Sequence, residues 1–79
     1  MAPVDLDSHD IHCRLDELLA ERGMTLARLA ELVGVSNVNL SVLKNDRARA
    51  IRFSTLQAIC EVLECDVGDL LVVRRAPRA

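Results

Sequence analysis

Hydrophobic residues recur at helical spacing in the first part of the chain. Between about Asp10 and Arg22 they occupy positions i, i+4, i+7 and i+8, which form one face of a helix; they are Ile11, Leu15, Leu18 and Leu19. Gly23 comes next, and glycine readily adopts the left-handed conformation that ends many helices. The pattern predicts a first helix over residues 10–22.

Two further helices are predicted on either side of a very short turn. Thr25 is a good N-cap for the second helix, whose buried stripe consists of Leu26, Leu29, Ala30 and Val33. Gly34 ends this helix, and Ser36 can cap a third helix only two residues later. The sequence therefore predicts two helices held close together by a tight turn.

The predicted third helix has two dissimilar sides. Leu40 and Leu43 have the spacing of core residues, whereas several polar residues occupy other faces: Asn37, Asn39, Ser41 and Lys44. Val38 and Val42 lie one turn apart and off the leucine stripe. We expect both valines to be exposed, which requires a functional explanation.

A fourth helix is predicted after a loop at residues 45–53. Ser54 and Gln57 have the spacing of a capping box, and an apolar stripe follows at Leu56, Ile59, Cys60 and Leu63. The helix should end near the last of these. Asp66 can cap a final short helix, and residues 71–74 are predicted to form a short strand or a frayed end.

Composition favours a single all-α domain. The chain has 79 residues, of which 51% are hydrophobic, but Phe53 is its one aromatic residue, so aliphatic side chains must form the core. We expect residues 9–74 to form the domain, with flexible ends at residues 1–8 and 75–79. A compact helical domain leaves little room for a small-molecule cavity of roughly 300 Å³ or more, which disfavours an enzyme.

The net charge of −2 conceals an uneven distribution along the chain. Residues 1–20 and residues 54–70 are both acidic. Residues 34–53 carry four cations against one acid, Asp46; the cations are Lys44, Arg47, Arg49 and Arg52. This asymmetry fits a protein with one side that faces an anion.

The remaining sequence features concern location and thiol chemistry. The N-terminal segment lacks the basic start and the apolar run of a signal peptide, and no apolar stretch reaches membrane-spanning length. We therefore expect a cytoplasmic protein. The three cysteines, Cys13, Cys60 and Cys65, include no C-x-x-C pair, so we expect buried free thiols and no structural disulfide.

His9, His12 and Cys13 form an H-x-x-H-C cluster, and imidazole and thiolate groups are suitable ligands for Zn²⁺. No second close ligand pair accompanies them, and the first helix can bury its leucine face without a metal. We therefore predict no metal site and no cofactor. Nucleophilic catalysis would need a base oriented by a third group, and no such triad is recognisable.

The spacing of Ala30, Gly34 and Leu40 is the most specific feature of the chain. A small residue at position 30 lets the two helices approach closely, and Gly34 permits the positive φ of a sharp turn. The stretches TLARLAELVGVSNVNLSVLKN, RARAIRFSTLQAICEVLECD and VGDLL resemble the phage-repressor (Cro/CI-like) helix-turn-helix family, especially its small stand-alone bacterial members. The resemblance implies a five-helix lambda-repressor-like domain that binds double-stranded DNA as a transcriptional regulator of the repressor type.

The resemblance also implies roles for individual residues. Positions that face base edges in the family are matched by Asn37, Val38, Asn39 and Ser41. Positions near DNA phosphates, at helix starts and in the loop after the third helix, are matched by Thr25, Ser36, Lys44, Arg47, Arg49 and Arg52. Many relatives have a polar residue, such as Gln, at the position of Leu26, where it contacts the DNA backbone. Leu26 departs from this pattern, so we expect Arg28 to supply the contact to the DNA backbone.

The chemistry of these side chains points to A·T pairs. Asparagine can form a bidentate pair with adenine N6 and N7, and a valine methyl can contact the thymine methyl. Asn37 or Asn39, with Val38 or Val42, therefore predicts a site that contains A·T pairs. Backbone N–H groups near Ser54 could bind a further phosphate; the alternative is that Ser54 simply caps the fourth helix.

A contact surface this small gives modest affinity, so we expect a homodimer on a palindromic site. Two surfaces are candidates for the dimer contact: the fifth helix with Val72 and Val73, or the N-terminal Val4 and Leu6. The alternative function is a protein-interaction module, of the antitoxin or adaptor kind, that binds its partner through Val38 and Val42.

Overall fold

The computed structural model describes residues 9–74, so the expectations for residues 1–8 and 75–79, including a dimer contact through Val4 and Leu6, lie outside the described residues. Residues 9–74 form five helices and a two-stranded antiparallel sheet. In chain order the elements are β1 (Ile11–Cys13), α1 (Leu15–Arg22), α2 (Leu26–Val33), α3 (Asn37–Lys44), α4 (Phe53–Leu63), α5 (Val67–Leu70) and β2 (Leu71–Val73). The five predicted helices are confirmed, but the fold is not purely all-α.

The predicted start of the first helix is wrong, because residues 11–13 form β1 and α1 begins after them. β1 pairs with β2, with Ile11 opposite Val73 and Cys13 opposite Leu71. Of the two alternatives that the sequence left open for residues 71–74, a short strand or a frayed end, the structure has the strand. The backbone groups of β1 thus find their partners near the other end of the chain. A local pattern cannot reveal such pairing, and the helical spacing of Ile11 was misleading.

A single apolar core lies between the helices and the sheet. Its buried residues are Cys13, Leu15, Leu18, Leu19, Leu29, Ala30, Leu40, Leu43, Leu56, Ile59, Cys60, Leu63 and Leu70. Full burial of one leucine side chain stabilises a fold by about 1.5–3 kcal/mol, so these residues supply most of the driving force. The side chain of Arg22 adds a polar link, since its Nε donates to the Leu63 carbonyl and joins the ends of α1 and α4.

The tight turn between α2 and α3 forms as predicted. Thr25 Oγ1 accepts a hydrogen bond from the Arg28 N–H at 3.1 Å, and Ser36 Oγ accepts one from the Asn39 N–H at 3.1 Å. Gly34 is left-handed, with φ 83°. The two helices are bent by 117° relative to each other, within the range of about 90–120° typical of helix-turn-helix pairs.

The start of α4 differs from the prediction. The helix begins at Phe53 with Arg52 at the N-cap position, and no side chain caps it there. Gln57 instead donates from Nε2 to Glu61 Oε1 at 3.0 Å, so the proposed Ser54 capping box is wrong. The cap of α5 is confirmed, because Asp66 occupies its N-cap position.

No single helix within residues 9–74 is long and apolar enough to cross a membrane. Only α2 and α3 taken together, across the bend between them, meet the length and composition of a broken span.

Gly34 is the residue whose substitution should most directly strain the turn. No heavy atom lies within 4 Å of where a Cβ would stand, so the cost of Gly34→Ala comes from its positive φ alone, about 1–2 kcal/mol. Gly68→Ala is a matched control, because its Cβ would also meet open space but its φ is not positive. Urea unfolding of the two variants measures the difference, and equal loss of stability in both would contradict this explanation.

Candidate nucleic-acid interface

Helix α3 turns one side to the core and the other to solvent. Leu40 is 2% exposed and Leu43 is buried, whereas Val38 is 71% exposed and Val42 is also exposed. Successive residues of an α-helix are about 100° apart, so Val38, Ser41 and Val42 lie on the side opposite the two leucines, and Asn37 lies at the edge of that side, about 90° from its centre. We call these four residues the outer face of α3. The expectation that both valines are exposed is confirmed.

The two asparagines at the start of α3 lie on different sides of the helix. Asn37 is exposed and belongs to the outer face. Asn39 is exposed too, but it lines a groove between α3 and the following loop, together with Val35, Arg49 and Arg52. The sequence left open whether Asn37 or Asn39 would contact a base. In the structure Asn37 belongs to the outer face, whereas Asn39 lies beside the arginines of the loop.

Asn45 extends the outer face and was missed by the sequence analysis. It is exposed and follows Ser41 by one turn and Val38 by two, so it lies on the same side of the helix. Its amide Nδ2 donates to the Ser41 carbonyl at 2.9 Å, which satisfies a carbonyl at the end of α3. Asn45 follows Ser41 by four residues and Val38 by seven, and this helical spacing was the signal that could have identified it.

The loop after α3 presents three arginines. Arg47, Arg49 and Arg52 are exposed, and none of the ion pairs found among residues 9–74 involves them. They are therefore available to an external anion.

The other two predicted phosphate-binding cations have acidic neighbours. Lys44 Nζ lies 3.3 Å from Asp16 Oδ1, and Arg28 Nη1 lies 3.0 Å from Glu31 Oε2. Both pairs are accessible to solvent, and ion pairs of this kind contribute little free energy. Binding a phosphate would require either cation to exchange or share its present partner.

Asp46, the first residue of the arginine-bearing loop, is fixed to the sheet. Its Oδ1 accepts a hydrogen bond from the Cys13 N–H at 2.7 Å, and its Oδ2 lies 2.9 Å from His12 Nδ1 and 3.3 Å from Arg74 Nη2. Its φ is 62°, in the left-handed region. The contacts join both ends of the described chain to the end of α3, and no local sequence pattern indicated them.

The bonds to Asp46 favour its charged form. The Cys13 N–H, followed by His12, lowers the pKa of the Asp46 carboxyl below its usual value of 3.8. A carboxyl whose pKa is lowered by folding stabilises the fold above its unfolded pKa, and this contribution is lost as the pH falls through the folded pKa.

Asp46→Asn should therefore reduce stability at pH 6 and make little difference near pH 2. Asparagine also tolerates the left-handed conformation and can accept the Cys13 bond, so the change removes mainly the charge. Urea midpoints of the two proteins across this pH range measure the effect. An equal difference at both pH values would show that charge is not the cause.

His9 and His12 are engaged in hydrogen bonds that hold the sheet and the loop together. His9 Nε2 lies 2.9 Å from the Ala48 carbonyl, and its Nδ1 accepts from the Ile11 N–H at 3.0 Å. Burial raises the pKa of the Cys13 thiol to about 11, which disfavours the thiolate that a metal requires. Within residues 9–74, no group of three or more His, Cys, Asp or Glu side chains is placed to hold a metal ion.

The chain belongs to the Cro/C1-type helix-turn-helix DNA-binding family, whose model matches residues 14–74. Over 60 residues it is 53% identical to YozG, an uncharacterised HTH-type transcriptional regulator of Bacillus subtilis (strain 168); the match covers 76% of this chain and 71% of YozG. A crystal structure of the transcriptional regulator VanUg is similar, with a TM-score of 0.70 and 30% identity, over 91% of this chain and 95% of that one. The family resemblance inferred from the sequence is confirmed, and the chain has the DNA-binding domain of a transcriptional regulator.

Proposed function

We propose that the protein regulates transcription by placing α3 in the major groove of a specific double-stranded DNA site. The observation that carries this proposal is the outer face of α3, exposed on the side away from Leu40 and Leu43. Had Asn37 and Val38 been buried in the same subunit, no groove could be read. We assign base contacts to the outer face, Asn37, Val38, Ser41 and Val42, and also to Asn39, which is exposed on the groove side of the same helix.

The groups beside this face are suited to positioning the DNA backbone. Arg47, Arg49 and Arg52 are exposed and free of acidic partners among residues 9–74. Thr25 and Ser36 hold their helix starts with one oxygen, and their hydroxyl hydrogens can still be donated to a phosphate. We assign phosphate contacts to these residues together with Arg28, Lys44 and Ser54, and such contacts position the protein without reading sequence.

The first experiment is a fluorescence anisotropy titration with a random-sequence duplex, followed by enrichment of bound sequences from a random pool. We expect affinity at low salt that falls steeply as salt is added, with a slope of about −0.9 per phosphate neutralised. The enriched sequences should share a short motif that contains A·T pairs. Absence of any binding at low salt would contradict the proposal.

A second candidate function uses the same surface. Val38 and Val42 form an exposed apolar pair, and such a pair could contact a partner protein instead of thymine methyl groups. This alternative, an antitoxin or adaptor, predicts that the random duplex does not bind.

A two-fold homodimer completes the proposal. One α3 offers only one or two bidentate base contacts, worth about 1–3 kcal/mol of discrimination each. Pairing two copies doubles the surface and predicts a palindromic site whose halves lie about one helical turn apart.

A further inference from the structure

Helices α1 to α4 end in the same backbone arrangement, the Schellman motif. A residue with positive φ follows each helix, and the N–H of the next residue donates to the carbonyl five residues before it. The two residues that this bond joins commonly pack against each other through their side chains. The joined pairs are Leu19 with Met24 (3.0 Å), Ala30 with Val35 (3.2 Å), Val42 with Arg47 (2.9 Å) and Cys60 with Cys65 (2.9 Å). Of these four pairs, the one at the end of α4 consists of two cysteines.

Cys60 and Cys65 are free thiols that lie side by side on the surface of one groove, between α4 and α5. Cys60 is buried and Cys65 is partly exposed. Burial, followed by the neighbouring Cys65 thiol, raises the pKa of the Cys60 thiol to about 11, which agrees with contact between the two side chains. Cys13, by contrast, belongs to β1 and lines a different groove. The fold thus brings two of the three thiols together and keeps the third apart.

The charges beside the two thiols have one sign. Four acids line the same groove, and no Lys or Arg of residues 9–74 is found among its lining residues; the acids are Glu61, Glu64, Asp66 and Asp69. Charges at a groove raise the local concentration of oppositely charged molecules and repel those of like charge. A cationic reagent should therefore reach the thiols more readily than an anionic one.

We propose that Cys60 and Cys65 form a dithiol modification site, which cationic low-molecular-weight disulfides oxidise to an intramolecular disulfide. In the first step the thiolate of Cys65, the more accessible thiol, attacks one sulfur of the reagent R–S–S–R. A Cys65–S–S–R bond forms, and the released RS⁻ takes up the proton that Cys65 lost. In the second step the thiolate of Cys60 attacks the Cys65 sulfur and releases the second RS⁻, which takes up the proton of Cys60. The two cysteines lose two electrons, and the reagent is reduced to two molecules of RSH.

The folded chain should promote the second step, because the Schellman motif already holds the two side chains together. In an unfolded chain the same two thiols meet only by chance. The groove shares no residue with the outer face of α3. The inference is therefore independent of the proposed function.

Equilibration of the reduced chain with mixtures of cystamine and cysteamine tests the site, with acid quenching, alkylation of free thiols and mass spectrometry of the peptides. We expect a Cys60–Cys65 disulfide, with Cys13 alkylated. Its equilibrium constant should be about tenfold or more higher in the folded chain than in urea, because a disulfide that fits the native geometry forms more readily there. Cys60→Ala should stop at the mixed disulfide on Cys65, and Cys13→Ala is the control that should behave as the wild type. Circular dichroism checks that each variant is folded.

The rate of the first step tests the selection by charge. Cystamine should react with Cys65 faster than the anionic 3,3′-dithiodipropionate, by about tenfold or more at low salt relative to the same ratio for N-acetylcysteine. Added salt should reduce this preference, because it screens the acids of the groove.

Three results would overturn the inference: no Cys60–Cys65 disulfide in the folded wild-type chain, a disulfide that includes Cys13 instead, or an equilibrium constant no higher in the folded chain than in urea. Equal relative rates for the two reagents would reject the cationic class of oxidant. Peptide mapping of the wild type gives these answers even if a cysteine variant does not fold. None of the measurements involves DNA, so their failure leaves the proposed function untouched.

Discussion

Replacement of Asn37 by alanine is expected to lower affinity for the enriched DNA site by roughly 10- to 100-fold, the value of a lost bidentate base contact. The substitution lies on the outer face of α3 and removes no core contact, so the fold should be unchanged. Binding to random-sequence duplex should persist, because phosphate contacts supply that affinity. Anisotropy titrations with both duplexes measure the two effects separately.

Arg49→Ala is the matched comparison for Asn37→Ala. Arg49 is exposed in the loop after α3, and we expect its loss to weaken binding to both duplexes and to reduce the salt slope by about 1. Asn39→Ala, on the groove side of α3, should have a smaller effect on the enriched site than Asn37→Ala. Indistinguishable behaviour of Asn37→Ala and Arg49→Ala would contradict the division between base-reading and phosphate-binding residues.

Leu40→Ala should destabilise the protein by about 2–5 kcal/mol, since it removes a fully buried side chain and leaves a cavity where α3 meets the core. A single hydrophobic core in a domain of about 70–80 residues rarely supplies more than about 3–5 kcal/mol of stability, so this variant should be partly unfolded at 37 °C.

Val38→Ala is the control for Leu40→Ala, because Val38 lies two residues earlier on the same helix but projects into solvent. It should change stability by less than about 0.5 kcal/mol while weakening binding to the enriched site. Thermal and urea unfolding followed by circular dichroism compare the two. Similar losses of stability would mean that the two sides of α3 are not as assigned.

The sequence predicted the central part of the fold because its signals are local. Thr25, Gly34 and Ser36 act through hydrogen bonds and dihedral angles within a few residues, so their types alone indicated where α2 ends and α3 begins. Leu40 and Leu43 likewise fixed the buried side of α3 by spacing. The exposed face that is proposed to read DNA could be predicted from the same spacing.

The parts that were missed depend on contacts between distant residues. β1 exists because its backbone pairs with β2, and Asp46 is fixed by groups from Cys13, His12 and Arg74. The start of α4 at Phe53 was missed for another reason. Ser54 and Gln57 fitted a capping pattern, but Gln57 bonds along the helix to Glu61.

The central claim is that the outer face of α3 contacts base edges in the major groove. Replacing single adenines of the enriched site with 7-deazaadenine tests it most directly, because this removes the N7 acceptor from the major groove and leaves the minor-groove edge intact. We predict at least one adenine whose replacement weakens binding of the wild-type protein but does not further weaken binding of Asn37→Ala. Wild-type affinity that is unchanged at every adenine, or equal losses in both proteins, would contradict the claim.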